Sequence, residues 1–397
     1  MGTEVGGGGA AAPGPPTTGK RERGRRGTRK IRHAHFACDF SATEIKHALR
    51  QHGRPAAALK HFMQCRGATL TTRKESHTMN TANAESFRNV TIVGAGVIGM
   101  SWAALCLAHG CEVTISDPAP TTESQVRAGL ADIAPTLEEL GMRTDDLTAR
   151  LRFEADLAAA VARADVVQEN GPERLEIKHR MWATIEENAP AHALFATSTS
   201  GLPAGEIATV LKQPERLIVG HPFNPPHLVP LVEIVPGRLT SEETVEQARA
   251  FYSALGKKPQ VLHKEVPGFV ANRLQAAFFR ECVHLVAEGV VTEQELDELV
   301  TSSIGPRWAV AGPFQSFHLG GGSGGFAHFL SHFAPAMEQS WKFLGSPTFD
   351  EATVKLLSEQ AEAYLGDRPI EELATQRDQA QIALMRALGE LPPAPTR

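Results

Sequence analysis

Cysteine is scarce and poorly spaced for cross-linking or metal binding: Cys38, Cys65, Cys106, Cys111 and Cys282 are the only five in 397 residues. They show no C-x-x-C spacing and have no histidines at metal-ligand intervals, so no disulfide framework and no metal site is expected, and the chain is assigned to a reducing compartment, the cytoplasm. No run of about eighteen apolar residues occurs, and no apolar core follows the N-terminal charges. Neither a membrane span nor a secretory signal is therefore expected. Strong charge of one sign is also missing, since the net charge is -5. Apart from one basic stretch there is no electrostatic footprint for nucleic acid, and a small molecule is the expected partner.

What is present divides the chain into three. Residues 1–85 open with Gly, Ala and Pro, continue with the basic run Lys20 to Arg32, and then show weak periodicity, which predicts an extension without a packed core. The run reads as a nucleic-acid or membrane arm, as part of a transit peptide, or as neither. Met79 stands just ahead of the first strand pattern, so the preceding segment is expected to be a dispensable extension or a start-site artefact. From 86 to 268, short β-branched runs alternate with amphipathic stretches, the pattern of a doubly wound, mostly parallel α/β sheet. The expected strands are Val90–Val93, Glu112–Ser116, Val166–Gln168, Leu194–Thr197, Leu217–His221 and Val232–Val235, with a helix at Leu175–Glu187. From 269 to 390 the patterns are helical, including Phe269–Glu288 and Thr292–Ser302. Their apolar faces call for cover, either in a homodimer or within an intramolecular four-helix packing.

The most specific local signal is VTIVGAGVIG at Val90 to Gly99. An apolar strand delivers Gly94, Gly96 and Gly99 to a helix start that also includes Val97 and Ile98. In that context Gly94 permits the turn, Gly96 lets backbone approach a pyrophosphate at the helix N-terminus, and Gly99 lets helix and strand pack. A second strand pattern ends in Asp117, where a carboxylate accepts from ribose hydroxyls and disfavours a 2′-phosphate. The expected cofactor is NAD, against FAD or a nucleotide-free Rossmann unit.

The second signal is HPFNPPHLVPLVE at His221 to Glu233. Removing hydride from an alcohol requires a base for the hydroxyl proton, and an imidazole titrates in the right range. His221 ends one predicted strand and Glu233 lies on the next, running back beside it, so that the carboxylate would orient the ring and stabilise its charged form. The competing reading is a polar histidine in a proline-bounded loop.

The fingerprint, the cluster Ser198-Thr199-Ser200, HPFNP with its later glutamate, and PGFVANRL at Pro267 to Leu274 together resemble the L-3-hydroxyacyl-CoA dehydrogenase superfamily. Within it, IGPRWAVAGPF and GGGSGGFAHFLSHFAPAMEQSW most resemble the branch holding carnitine 3-dehydrogenase and the lambda-crystallin-type L-gulonate 3-dehydrogenase. The resemblance implies NAD-dependent oxidation of a 3-hydroxyl to a 3-keto group. It makes His221 the base and Glu233 its partner, with Ser200 and Asn272 on the substrate oxygen, Asn224 at the nicotinamide, and Glu173 and Lys178 at cofactor ribose. The bland alternatives are helix caps for Ser200 and Asn272, a first-turn helix acid for Glu173, and a solvated cation for Lys178.

Relatives that use CoA present lysines after the second strand. Asp117 to Thr148 contains none, and its acids outnumber Arg127 and Arg143. A short free hydroxy acid is therefore expected ahead of an acyl-CoA. Arg307, between helices of the second domain, either clamps the acid's carboxylate or packs its stem on the surface. Trp308, Phe314 and Trp341 either wall a quaternary ammonium or belong to the core. The competing functions are a 3-hydroxybutyryl-CoA dehydrogenase proper, a non-catalytic crystallin-like NAD binder, and a lysine-dependent β-hydroxyacid dehydrogenase, whose lysine would stand where this chain has Asn272 to Leu274.

Overall fold

The computed structural model describes residues 87–391; the basic run and Met79 lie outside the described residues. Strands β1 (Asn89–Val93), β2 (Glu112–Ser116), β3 (Leu151–Phe153), β4 (Val166–Glu169), β5 (Leu194–Thr197), β6 (Leu217–Pro222), β7 (Leu231–Pro236) and β8 (Lys258–Val261) form one sheet in the order β3-β2-β1-β4-β5-β6-β7-β8. Every pairing is parallel except β6 with β7, which is antiparallel and sets His221 directly opposite Glu233.

Strand β1 is flanked by β2 and β4, so the chain changes direction there and leaves a crevice at the carboxyl ends of β1 and β4. Alternation along the strands sends Val90 and Ile92 to one face and Val93, Val167 and Phe195 to the other. The first face is covered by α1 (Val97–Ala108), α2 (Thr122–Glu139) and, late in the chain, Phe251 and Tyr252. The second is covered by α3 (Leu157–Val161), α4 (Leu175–Asn188) and α5 (Ala204–Ile207). Phe251 and Tyr252 belong to α6 (Glu242–Ala254). Helix α1 is buried almost all round, from Ser101 to Leu107, because α2 closes it from outside.

Strands β3 and β8 fall outside the expected set for physical reasons. Strand β3 has three residues, too few for an alternation to register, and β8 reads Lys-Pro-Gln-Val. Both are edge strands, and an edge is where a sheet tolerates proline.

After β8 the described chain is helical: α7 (Ala271–Ala287), α8 (Glu293–Ser302), α9 (Ile304–Val310), α10 (Pro313–Gly320), α11 (Gly325–Ser340), α12 (Glu351–Leu365) and α13 (Ile370–Ala387). Thr292 and Glu295 form a capping box that starts α8. Helix α7 buries Cys282, Val283 and Val286, and α12 packs on α7 and α8. Helix α13 returns to the sheet region, where Ile382 packs with Leu140 and Leu228. Among the described residues no helix is long and apolar enough to cross a membrane.

Candidate active site at the carboxyl ends of the strands

The glycine-rich turn has a distinct geometric reason for each glycine. Gly94 has φ +89°, and a Cβ there would lie 2.8 Å from the carbonyl oxygen of Asn170 after β4. A Cβ on Gly99 would lie 1.9 Å from the Gly94 carbonyl oxygen, so α1 could not close onto the turn. A Cβ on Gly96 would meet nothing within 4 Å, which leaves the space ahead of α1 open. No side chain caps α1 and no acid stands in its first turn, while its first internal bond to Gly96 runs from the Met100 amide at 2.9 Å. The amides of Val97, Ile98 and Gly99 thus precede the helix's own hydrogen bonding, as a pyrophosphate requires. At the end of β2, Asp117 accepts from the Ala95 amide at 2.9 Å and from the Ala119 amide at 2.9 Å, tying the turn to the strand while remaining half-exposed. These residues fit a dinucleotide.

On the far side of the crevice, β6 and β7 bring the expected pair together. His221 Nδ1 lies 2.9 Å from Glu233 Oε2, with both side chains buried. Taken as donation from Nδ1–H to the carboxylate, this contact leaves Nε2 as the ring nitrogen free to accept a proton. Glu233 Oε1 accepts from the amides of Val270 and Ala271 at 3.0 and 2.9 Å. Burial pushes the Glu233 carboxyl up, but the His221 bond, the two amides and the His221 charge hold it below the usual range. One carboxylate therefore binds both the imidazole and the start of α7, the helix that carries Asn272.

Phe223 and Phe269 pack on the imidazole, with ring centroids 4.9 and 5.3 Å away. Phe269 is fully buried at φ +49°, a left-handed conformation that a bulky residue seldom adopts, and it follows Gly268 at φ +72°. Phe269 was legible only as part of the PGFVANRL string; backbone strain leaves no trace in sequence.

The remaining expected residues separate by environment. Ser200 and Asn224 are exposed and Asn272 is half-buried, and none of their side chains has a hydrogen-bond partner among the described residues. Neither Ser200 nor Asn272 is a helix cap, because α5 is preceded by Pro203 and α7 by Val270. Glu173 lies ahead of α4 and so is no first-turn acid. Its Oε1 accepts from the Thr199 hydroxyl and from the amides of Ser200 at 3.0 Å and Gly201 at 2.9 Å, shaping the turn that presents Ser200. Burial raises the Glu173 carboxyl, but these bonds and the Lys178 charge hold it below its ordinary value.

Lys178 is not a solvated cation. It is 1% exposed, and its ammonium lies 2.8 and 2.9 Å from the two oxygens of the fully buried Glu169 and 3.6 Å from Glu173. The Thr197 hydroxyl and the Gly171 amide complete the Glu169 carboxylate at 2.6 Å each. This ion pair locks the ends of β4 and β5 beneath the Ser200 turn.

The placement of Arg307 and of the aromatic group differs from expectation. Arg307 lies within α9 rather than between helices, is exposed, and makes no hydrogen bond or ion pair with another described residue. Trp308 packs edge-on against Phe278 of α7 and Phe314 against Phe326 of α11, at 6.1 and 5.8 Å, no ring contact joins either to Trp341 among the described residues, and all three are exposed rather than part of the core. Short helices α9 and α10 intervene, and their boundaries are invisible as periodicity.

Sequence reasoning also overlooked a buried network behind Ser198. The Ser198 hydroxyl accepts from Gln168 at 2.9 Å and from the Trp102 indole at 3.3 Å, and donates to Asn170 at 2.7 Å; Tyr252 donates to Gln168 at 2.7 Å. A lone glutamine in an otherwise apolar strand run, Val166 to Gln168, was the available signal.

The family model of the 3-hydroxyacyl-CoA dehydrogenase NAD binding domain matches residues 89–266, and that of the 3-hydroxyacyl-CoA dehydrogenase C-terminal domain matches residues 268–353. L-carnitine dehydrogenase of Streptomyces griseus is 44% identical over 78% of this chain and 92% of its own length, and that of Pseudomonas aeruginosa is 41% identical over 75% and 93%. A solved 5-formyl-3-hydroxy-2-methylpyridine 4-carboxylic acid 5-dehydrogenase superposes with a TM-score of 0.65 at 29% identity, covering 76% of this chain and 99% of that one. The (S)-3-hydroxybutyryl-CoA dehydrogenase of Ralstonia eutropha superposes at 0.50 with 28% identity, over 54% of this chain and 76% of its own. The chain belongs to the 3-hydroxyacyl-CoA dehydrogenase family and is an NAD-dependent oxidoreductase acting on a CH–OH group.

Proposed function

We propose that this protein oxidises the 3-hydroxyl of a short free hydroxy acid, carnitine foremost, with His221 as the general base. The observation that carries the reading is the buried His221–Glu233 contact at 2.9 Å, closed on its far side by the amides that start α7. Bound NAD+ supplies the acceptor for the C3 hydride. His221 takes the hydroxyl proton on Nε2, and Glu233 favours the resulting imidazolium. The free side chains of Ser200 and Asn272 donate to the substrate oxygen as charge develops on it, where the loss of one donor raises a barrier by about 3 kcal/mol. Asn224 meets the nicotinamide end of the cofactor, and Asp117 the adenosine ribose. Glu173 and Lys178 act beneath the Ser200 turn, and of the two only Glu173 is exposed enough to meet the cofactor.

The free acid is preferred to a thioester for an electrostatic reason. Asp117 to Thr148 carries no lysine, and its two arginines are paired, Arg127 with Glu123 at 2.8 Å and Arg143 with Asp145 at 2.7 Å, while Arg150, just before β3, donates to the Leu107 carbonyl at 3.2 Å. This stretch offers a CoA phosphate no lysine and only arginines that already have partners. Arg307, exposed and unpaired, is the candidate for the acid's carboxylate, and the relatives named above are L-carnitine dehydrogenases. The working unit is a homodimer joined through the helical region, and the free thiols Cys106, Cys111 and Cys282 suit the cytoplasm.

The test follows NADH absorbance with L-carnitine, L-gulonate, 3-hydroxybutyrate and 3-hydroxybutyryl-CoA. Carnitine is expected to turn over fastest; activity confined to the thioester overturns the substrate assignment, and no turnover on any compound overturns the enzymatic reading of this site. His221→Ala should lower turnover by about 10²–10⁴-fold with NAD binding retained.

A further inference from the structure

We infer that Lys257 is a positioning residue for this reaction: its buried side chain clamps the loop of residues 223–230, which joins the strands of His221 and Glu233 and carries Asn224. The inference rests on the reading of His221 as the base. The loop is short of donors, because Pro225, Pro226 and Pro230, like Pro222 at the end of β6, have no N–H. Its own amides supply two internal bonds, from Leu228 and Val229 to the Pro225 carbonyl, both at 3.0 Å. The carbonyls of Pro226 and Val229 instead accept from Lys257 Nζ, which reaches them from the position immediately before β8.

A second jaw closes from α1. The Ser101 hydroxyl accepts from the His227 amide at 2.8 Å and pairs with His227 Nδ1 at 2.8 Å. Burial pulls the His227 pKa down to about 4, so the ring is neutral near pH 7 and a single proton is shared between Nδ1 and the Ser101 hydroxyl. The jaws meet at Trp102, whose ring centroid lies 5.8 Å from Lys257 Nζ.

Lys257 is 8% exposed and forms no ion pair with a carboxylate among the described residues. Burial draws its pKa down to about 7, while the two carbonyls and the indole face favour the charged form. A cation without a counter-ion is an expensive way to fill space that a methionine would fill. What the ammonium adds is a set of donors for a loop that cannot satisfy itself. With both jaws shut, the ends of β6 and β7 are held at the spacing that sets His221 against Glu233.

The experiment compares Lys257→Met, Ser101→Ala and the double variant in the full chain, with His221→Ala alongside. It measures kcat on the best alcohol substrate, NAD affinity by fluorescence, and thermal unfolding. Lys257→Met is expected to lower kcat by about tenfold or more, with NAD affinity held within about twofold, because the pyrophosphate and adenosine contacts lie on other loops. The double variant should lose less than the product of the single losses, since both jaws hold one loop. A folded Lys257→Met with kcat within about twofold of wild type overturns the clamp. Should that variant fail to fold, Ser101→Ala decides: an unchanged kcat overturns the clamp, and a loss confined to kcat supports it. Turnover retained in His221→Ala sinks the base assignment instead, whatever the Lys257 result.

Discussion

The sheet region and the helical region handle apolar surface in opposite ways. Between Asn89 and Val261, both faces of the sheet are sealed, and large side chains such as Trp102, Trp182, Phe195 and Phe251 are almost completely buried. Among the few large apolar residues left open there is Val97, in the first turn of α1 where the cofactor is expected. From α7 onward the balance reverses. Leu274 and Phe279 on α7, Phe314 on α10, and Trp341 and Phe343 after α11 are all more than half exposed, Phe343 reaching 82%. Exposed large apolar side chains at this density are what an interface covers. The comparison teaches that the sheet region completes its own core, whereas the helical region is built to be finished by something else, which we propose is a second copy of itself.

The sharpest way to test the sheet half of that contrast is a pair of glycine substitutions within one turn. Gly99→Ala drives a methyl to 1.9 Å from the Gly94 carbonyl, backbone against backbone, and should cost about 3 kcal/mol or more of stability, read as a collapse of the unfolding midpoint. Gly96→Ala has open space and should leave the midpoint unchanged while weakening NAD binding, because the methyl occupies the ground the pyrophosphate needs. Equal stability losses in the two variants would contradict this division of labour. For the helical half, Leu274→Glu combined with Phe279→Glu places charges at two exposed positions of α7, so the isolated fold should tolerate both. Light scattering after size exclusion should show the mass halved at micromolar concentration, since burying unpaired charge weakens association by about a hundredfold. A wild-type protein that is itself monomeric would end the dimer proposal.

The same contrast explains what the sequence made legible. Strand–turn–helix chemistry is local, so Gly94, Gly96, Gly99 and Asp117 could be read from spacing alone, and the antiparallel return that pairs His221 with Glu233 followed from a proline-rich loop, with no helix in it, between two β-branched runs. What was not legible depends on contacts distant in sequence. The Lys178 ammonium becomes a buried cation only because Glu169 ends the neighbouring strand, and Lys257 reads as an ordinary surface lysine until the loop at Pro226 folds over it. In the helical region periodicity located α7 and α8 but not α9 or α10, whose few turns hold Gly305-Pro306 within α9 and start at Gly312-Pro313 in α10. A free apolar face there looks the same in sequence as a core-facing one, which is why a homodimer and an intramolecular packing both satisfied the pattern. Arg307 and the aromatics were grouped by nearness in sequence, and the fold gives Trp308 and Phe314 different partners.

The smallest expected effect lies where the regions touch. His227 sits beneath α13, and burial lowers its pKa from 6.5 to about 4, with Lys257 and Arg377 acting in the same direction and Asp378 against it. Because the folded-state value is depressed, the unfolded chain binds the extra proton between these limits, and stability falls as the pH drops from 6.5 toward 4. Between pH 7 and 5.5 the loss should be about 1 kcal/mol from this one ring. Urea unfolding at the two pH values, in wild type and in His227→Gln, isolates it, because carboxylates elsewhere contribute equally to both proteins. The variant should show the shallower dependence. If the two slopes coincide, the imidazole is solvated in the folded protein, and α13 does not seal the loop that joins His221 to Glu233.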